Sequence, residues 1–186
     1  MIWEAEFLTW LQSVRAPFLD ELMAGLSFLG DYGICGIVVG IVLVIIKKTR
    51  RTGFEVLIAM AIAFIIGNLI IKNVVARLRP YDAYEHLEPL VRRPLDWSFP
   101  SGHSTNLFAC ATAIFLNHKK VGVIALIIAL LVAFSRLYNC MHFPTDVLAG
   151  VFIGVVCAIL THYLIYPAGE KGVRRLRARK EKNIGG

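Results

Sequence analysis

Lys72, Arg79, Ser101, His103, Arg136, His142 and Asp146 are residue types that handle phosphate, and they stand near the ends of apolar stretches. Arginine offers a planar fork that bonds two oxygens of one phosphate, and lysine adds a compact point charge. Pro100-Ser101-Gly102-His103 reads as a turn into a helix, with Ser101 as a plausible cap. The free backbone N–H groups of such a helix start, aided by the helix dipole, form an anion site. Asp146 follows His142 by four residues. A carboxylate bonded to one imidazole nitrogen fixes the tautomer and leaves the other nitrogen free to attack or to carry a proton. Three cations less the charge of Asp146 leave about +2, which suits a phosphomonoester near its second ionisation at about pH 6. The spacing shows no carboxylate or histidine cluster for a metal, so neither metal nor cofactor is expected.

These residues need a scaffold that brings distant segments together, and composition says which kind. Of 186 residues 57% are hydrophobic and 18% charged, with a mean hydropathy of +0.65. A soluble domain has about 45–50% apolar and roughly 25% charged residues. The excess lies in long blocks, which excludes a disordered tail, a disulfide scaffold and an ordinary soluble enzyme. A bilayer core needs about 17–25 apolar residues in a helix. Five segments approach that: 33–46, 54–75, 100–117, 121–138 and about 144–166. The outer limit of the first is open, because Asp31 interrupts the pattern and residues 18–30 either extend the helix or lie in the interface. The third is short, which suits a thin region or a protein-lined site.

Residues 1–17 lack the basic start and long apolar run of a signal peptide. Trp3, Phe7, Trp10, Leu11 and Val14 follow helical spacing, with Glu4, Glu6 and Gln12 among the polar positions. This predicts an amphipathic helix in the membrane interface, or one packed on the protein itself. The expected fold is therefore all-α: a single integral-membrane helical bundle over 1–186, with about five transmembrane helices and an N-terminal interfacial helix.

The net charge of +7 divides unevenly. With the C-terminus inside, thirteen basic residues face three acidic ones there, a net of +10; outside, seven face ten, a net of −3. Lysine and arginine favour the cytoplasmic side, so the N-terminus is placed outside and the basic tail, 167–186, in the cytoplasm. That tail is a topology anchor that also meets membrane lipids, and nucleic acid is not an expected partner. Lys72, Arg79, Ser101, His103, Arg136, His142 and Asp146 then converge on the outer side. Charges that defy the topology rule are functional candidates. Asp82, Glu85, Glu88 and Asp96 read as a solvated face, and His86, His118 and His162 as interfacial or capping residues. Arg77, Arg92 and Arg93 suit either a second phosphate or interfacial anchoring. Four scattered cysteines read as free thiols. Gly36-x-x-x-Gly40 and Gly150-x-x-x-Gly154 read as close helix contacts within the bundle.

At these positions the sequence resembles the type 2 phosphatidic acid phosphatase and haloperoxidase superfamily. Lys72 to Pro80 fits K-x6-R-P, Pro100 to His103 fits P-S-G-H, and Ser135 to Asp146 fits S-R-x5-H-x3-D. The three motifs keep the family's order and cover 72–146. The resemblance implies roles: His142 as the nucleophile that forms a phosphohistidine, Asp146 as its partner, and His103 as the general acid and then base. Lys72, Arg79, Arg136, Ser101 and the backbone N–H of Gly102 would hold the phosphoryl oxygens. It further implies a metal-independent phosphatase acting on a lipid phosphate or polyprenyl diphosphate, with undecaprenyl diphosphate, phosphatidylglycerophosphate and phosphatidic acid as candidates. A lipid phosphotransferase using the same intermediate, and a non-catalytic lipid-phosphate binder or flippase, are the alternatives.

Overall fold

The computed structural model describes the backbone of residues 2–184 and the side chains of 2–165 apart from Tyr32. The basic side chains of the tail, expected to anchor the topology, lie outside the described residues. Nine α-helices occur among those described: α1 (Ile2–Ser13), α2 (Pro17–Leu29), α3 (Ile34–Ile45), α4 (Arg50–Phe64), α5 (Lys72–Val75), α6 (Pro80–Ala83), α7 (Gly102–Asn117), α8 (Lys119–Tyr138) and α9 (Pro144–Ile184). A π-helical stretch, Ile65–Ile71, joins α4 to α5.

Helix α7 is the axis of the bundle. Every residue from Ser104 to Ile114 is buried. Its small side chains allow this: Ala109 and Ala113 pack with Val56, Ala59 and Ala63 of α4, and Ala111 with Ala129, Val132 and Ala133 of α8. At 1.5 Å per residue, its 16 residues run about 24 Å, short of a hydrocarbon core of about 30 Å. Arg50–Ala83, α8 and Pro144–Ile165 of α9 are long and apolar enough to cross a membrane, and α2 with α3, bent by 49°, makes a fourth if the pair is one span. The short third segment is thus a protein-enclosed helix, and lipid-facing length is not required of it. Residues 18–30, left open by the sequence, form most of α2. Asp31–Gly33 makes a 3-10 turn at the bend, and Gly33 there takes φ +68°.

Helix α9 lies close to α7 because glycine allows it. A Cβ at Gly154 would stand 2.4 Å from the Thr105 carbonyl oxygen and 2.9 Å from the Ala109 nitrogen, both backbone atoms that cannot swing away. Gly150 meets the Ser101 carbonyl in the same way, at 2.7 Å. Gly154→Ala is expected to push the helices apart and cost about 1–3 kcal/mol. A melt of the purified variant should show a Tm several degrees lower, and an unchanged Tm would contradict the close packing.

Helix α1 packs on the protein, one of the two placements the sequence allowed. Leu8 and Leu11 are buried against Leu87, Cys140 and Phe143, while Ile2, Trp3 and Trp10 stay exposed. Glu4, expected on the polar face, is instead fully buried. At the opposite end of the bundle, His162 pairs with Glu55 at 3.0 Å and His118 with Thr52 at 3.1 Å, holding helix ends together.

Candidate active site

The residues singled out by the sequence come from four places. Lys72 opens α5, where the backbone N–H of Lys72 bonds the Gly67 carbonyl, the wider spacing of a π-turn. An extra residue per turn rotates everything that follows, and such turns mark functional segments in other proteins. Ala76 ends α5 at φ +46°, an uncommon value for a residue with a Cβ, and the chain turns there toward Arg77 and Arg79. Ser101 and His103 stand at the start of α7, Arg136 in the last turn of α8, and His142 and Asp146 around the start of α9. All are buried or nearly so: Lys72, Arg79, Arg136 and His142 are 2–5% exposed, and Ser101 and Asp146 are 0%.

Ser101 caps α7 as expected. Its Oγ accepts from the Ser104 backbone N–H at 3.5 Å and from the Ser104 hydroxyl at 3.1 Å. Its own backbone N–H donates to the Asp146 carbonyl at 3.0 Å, which ties the start of α7 to α9. With two bonds accepted, the Ser101 hydroxyl proton is the part left to give. A Cβ at Gly102 would sit 2.7 Å from Asn68 Nδ2, so the bare backbone there lets α5's approach segment lie against the helix start.

His142 is held between two partners. Its Nδ1 is 3.8 Å from Asp146 Oδ2, longer than a hydrogen bond. Ser98 fills the gap: its hydroxyl donates to Asp146 Oδ2 at 2.5 Å and lies 3.4 Å from His142 Nδ1. On the other side, Arg79 Nη1 is 3.5 Å from His142 Nε2. Burial first, then the charges of Arg79, Arg136 and Lys72, hold His142 well below the ordinary histidine range. The ring is therefore neutral at neutral pH, with Nδ1 facing the serine and carboxylate and Nε2 facing Arg79. His103 has its own carboxylate, Asp31, with Nε2 to Oδ1 at 3.0 Å. A Cβ at Gly30 would stand 2.4 Å from the His103 ring, so the bend between α2 and α3 is a seat for this histidine.

The three cations are arranged unequally. Asp96 bridges two of them, accepting from Lys72 Nζ at 2.5 Å and Arg79 Nη2 at 2.5 Å. Burial alone would raise the Asp96 pKa, but the bonds and charges of Lys72 and Arg79 bring it down to about 2. Its side chain is still 49% exposed, so the expected solvated carboxylate also bridges two buried cations. Arg79 also donates to the backbone carbonyls of Asp96 and Met141, at 2.9 and 2.8 Å, so its fork is fixed. Arg136 donates to the Ser27 hydroxyl, and its buried Nε has no partner among the described residues.

Arg77 is neither an interfacial anchor nor free to meet a second phosphate. One nitrogen donates to Asp146 Oδ1 at 2.5 Å and Thr145 Oγ1 at 2.7 Å, and the other to Glu4 Oε2 at 2.7 Å. Burial would raise the Glu4 pKa, yet bonds from Thr145 and Arg77 keep it below the usual carboxylate range. Arg93 lies over the Tyr81 ring at 5.0 Å, beside a cleft of about 300 Å³ whose wall includes Arg79, Asp96, Leu95 and Trp97. Ser98, Asp31, Asp96, Arg77 and Glu4 were not assigned to the site by sequence. Arg77 lies within K-x6-R-P and Ser98 two residues before P-S-G-H, but neither is a fixed motif position, and only charge or polarity in an apolar chain distinguished the five. Among the described residues no group of three or more His, Cys, Asp or Glu is placed to hold a metal ion.

Known proteins resemble this chain in sequence and fold. Residues 52–170 match the model of the PAP2 superfamily. An undecaprenyl-diphosphatase from Sulfolobus acidocaldarius is 36% identical over 130 residues, 68% of this chain and 63% of that protein. The chain thus spans somewhat less than two thirds of that relative's length. Phosphatidylglycerophosphatase B of Bacillus subtilis is 35% identical over 179 residues, covering 88% of this chain and 81% of that protein. The crystal structure of Aquifex aeolicus LpxE superposes with a TM-score of 0.74 at 28% identity, over 85% of this chain and 93% of its own.

Proposed function

The chain belongs to the PAP2 superfamily, and from that membership and the geometry above we propose that it is a multi-pass membrane phosphatase that hydrolyses a lipid phosphate through a phosphohistidine on His142. The observation that carries the reading is a buried histidine with Arg79 at its Nε2 and with Ser98 and Asp146 at its Nδ1, in a site that also buries Lys72 and Arg136.

His142 Nε2 attacks phosphorus as the bond to the lipid oxygen breaks. His103 gives a proton to that oxygen. Lys72, Arg79, Arg136, the Ser101 hydroxyl and the Gly102 N–H hold the phosphoryl oxygens as charge shifts onto them. His103 then takes a proton from water, which attacks the phosphohistidine, releases inorganic phosphate and returns His142 to its neutral form. Asp96 rests on Lys72 and Arg79, and the incoming phosphate replaces it there. Three basic side chains do the neutralising, so excess chelator should leave the rate within about twofold. A complete loss restored by magnesium would contradict this chemistry.

The preferred substrate is a polyprenyl diphosphate on the outer face, with phosphatidylglycerophosphate and phosphatidic acid next. The names of the Sulfolobus and Bacillus relatives support the first two of these. Leu95 and Trp97, exposed at the cleft beside Arg79, offer an apolar lip for a lipid chain, and Arg93 is placed to meet a second phosphate. The test is phosphate release by the purified chain from undecaprenyl diphosphate, phosphatidylglycerophosphate and phosphatidic acid. Release from at least one is expected, with product analysis separating hydrolysis from transfer to an alcohol. Inertness toward all three would sink the proposal.

A further inference from the structure

One buried chain of charges lies behind the proposed nucleophile and begins in α1. Glu4, fully buried, accepts from Arg77 Nη2 at 2.7 Å and from the Thr145 hydroxyl and backbone N–H at 2.6 and 3.2 Å. Arg77 passes over the Phe143 ring, 4.1 Å from its centroid, and its other nitrogen reaches Asp146 Oδ1 at 2.5 Å. The far oxygen of Asp146 takes the Ser98 hydroxyl at 2.5 Å and the Phe143 N–H at 2.9 Å, and faces His142. Glu4 and Thr145 are 141 residues apart, and neither Glu4 nor Arg77 stands at a fixed position of the three motifs.

The order of charges has a consequence. A guanidinium bonded to Asp146 alone would draw off the negative charge that must support His142 as it becomes cationic in the phosphohistidine. A second carboxylate on the same guanidinium restores that charge, because the set of Glu4, Arg77 and Asp146 then carries −1 overall. Arginine suits the middle place because its planar fork serves two carboxylates at once, which a lysine point charge does not. Thr145 adjoins Asp146 in sequence, so its two bonds to Glu4 also fix the first turn of α9.

We infer that Glu4 and Arg77 are positioning residues for the His142–Asp146 pair, so that α1 is a working part of the active site as well as an interfacial helix. This rests on the reading of His142 as nucleophile. The experiment compares Glu4→Gln, Arg77→Lys, the double variant and His142→Ala in the full-length protein, with a short-chain phosphatidic acid in detergent micelles as probe. Hydrogen bonds to charged groups of this kind translate into losses of roughly ten- to a hundredfold in kcat for each single variant. KM should stay within about twofold, and the double variant should lose no more than the weaker single, as members of one chain do.

Thr145→Val removes one bond to Glu4 without changing charge. It should give a smaller fall in kcat, and it serves if the charge variants fold poorly. Wild-type kcat in Glu4→Gln or Thr145→Val would overturn the inference. So would losses that multiply in the double variant, or a lower Tm with full kcat in the folded fraction. If His142→Ala is inactive while Glu4→Gln is normal, only the inference fails. If His142→Ala retains activity, the underlying mechanism fails.

Discussion

His142→Ala is expected to lower phosphate release by at least about 10⁴-fold, to the level of the uncatalysed reaction in the assay. The size follows from the proposed role: His142 supplies the attacking nitrogen, and its Nε2 lies 3.5 Å from Arg79 Nη1. His103 cannot substitute, because its Nε2 is held by Asp31. Removing the ring leaves a cavity beside Ser98 and Met141, so a modest drop in Tm should accompany the loss, with the protein still monodisperse. Rapid acid-free quenching of the wild-type enzyme with labelled substrate should trap a phosphoenzyme that acid destroys, as expected of a phosphorus–nitrogen bond. The variant should show none. Activity within tenfold of wild type would end the phosphohistidine proposal.

Arg79→Ala is expected to reduce kcat/KM by about 10³-fold, roughly 4 kcal/mol of transition-state stabilisation. Arg79 is the cation tied to most of the site: it touches Asp96 twice, the Met141 carbonyl and the edge of His142. Its loss removes a donor to the phosphoryl oxygens and also leaves Asp96 with only Lys72 to balance its charge. An anion would then meet a carboxylate where it should meet a fork. Arg79→Lys should recover little, since an ammonium cannot serve Asp96, Met141 and a phosphate oxygen from fixed directions. Kinetics on both variants, with Tm measured alongside, decide the matter. A lysine variant within threefold of wild type would show that charge alone suffices and that the fork is not used.

Much of the site was legible because its residue types conflict with their setting. Lys72, Arg79, Arg136, His142 and Asp146 are charged or titratable groups at the ends of apolar helices, and the family motifs fixed their spacing. What supports them was not legible. Asp31 looked like an interruption of a span, but it bends the α2–α3 crossing and pairs with His103. Asp96 looked like one acid among several in a polar loop, and only the fold lays it on two cations. Glu4 followed the polar face of an amphipathic pattern, but its partners lie more than seventy residues away. Periodicity reports which face of a helix is apolar. It does not report which polar residue finds a buried counter-ion, because that depends on contacts between segments far apart in sequence. Apolar composition likewise marks α7 as membrane-like, while its enclosure by α4, α8 and α9 is a tertiary fact.

The shortness of α7 has a consequence for how a substrate could arrive. Helix α7 ends and α8 begins at the His118 junction, and with 16 residues against 20 α7 is about 6 Å the shorter, so its start falls short of the far end of α8. On the proposed reading, the phosphate seat at the start of α7 is then a shallow well set below that end of α8. A lipid held by its headgroup in that well keeps its chains at their resting depth in the leaflet. Lifting them out instead would cost about 0.8 kcal/mol for each methylene exposed to water. Four methylenes would cancel roughly 3 kcal/mol of phosphate affinity. By lowering the catalyst to the depth of the headgroup, the four-residue difference between two neighbouring helices spares the enzyme from extracting its substrate.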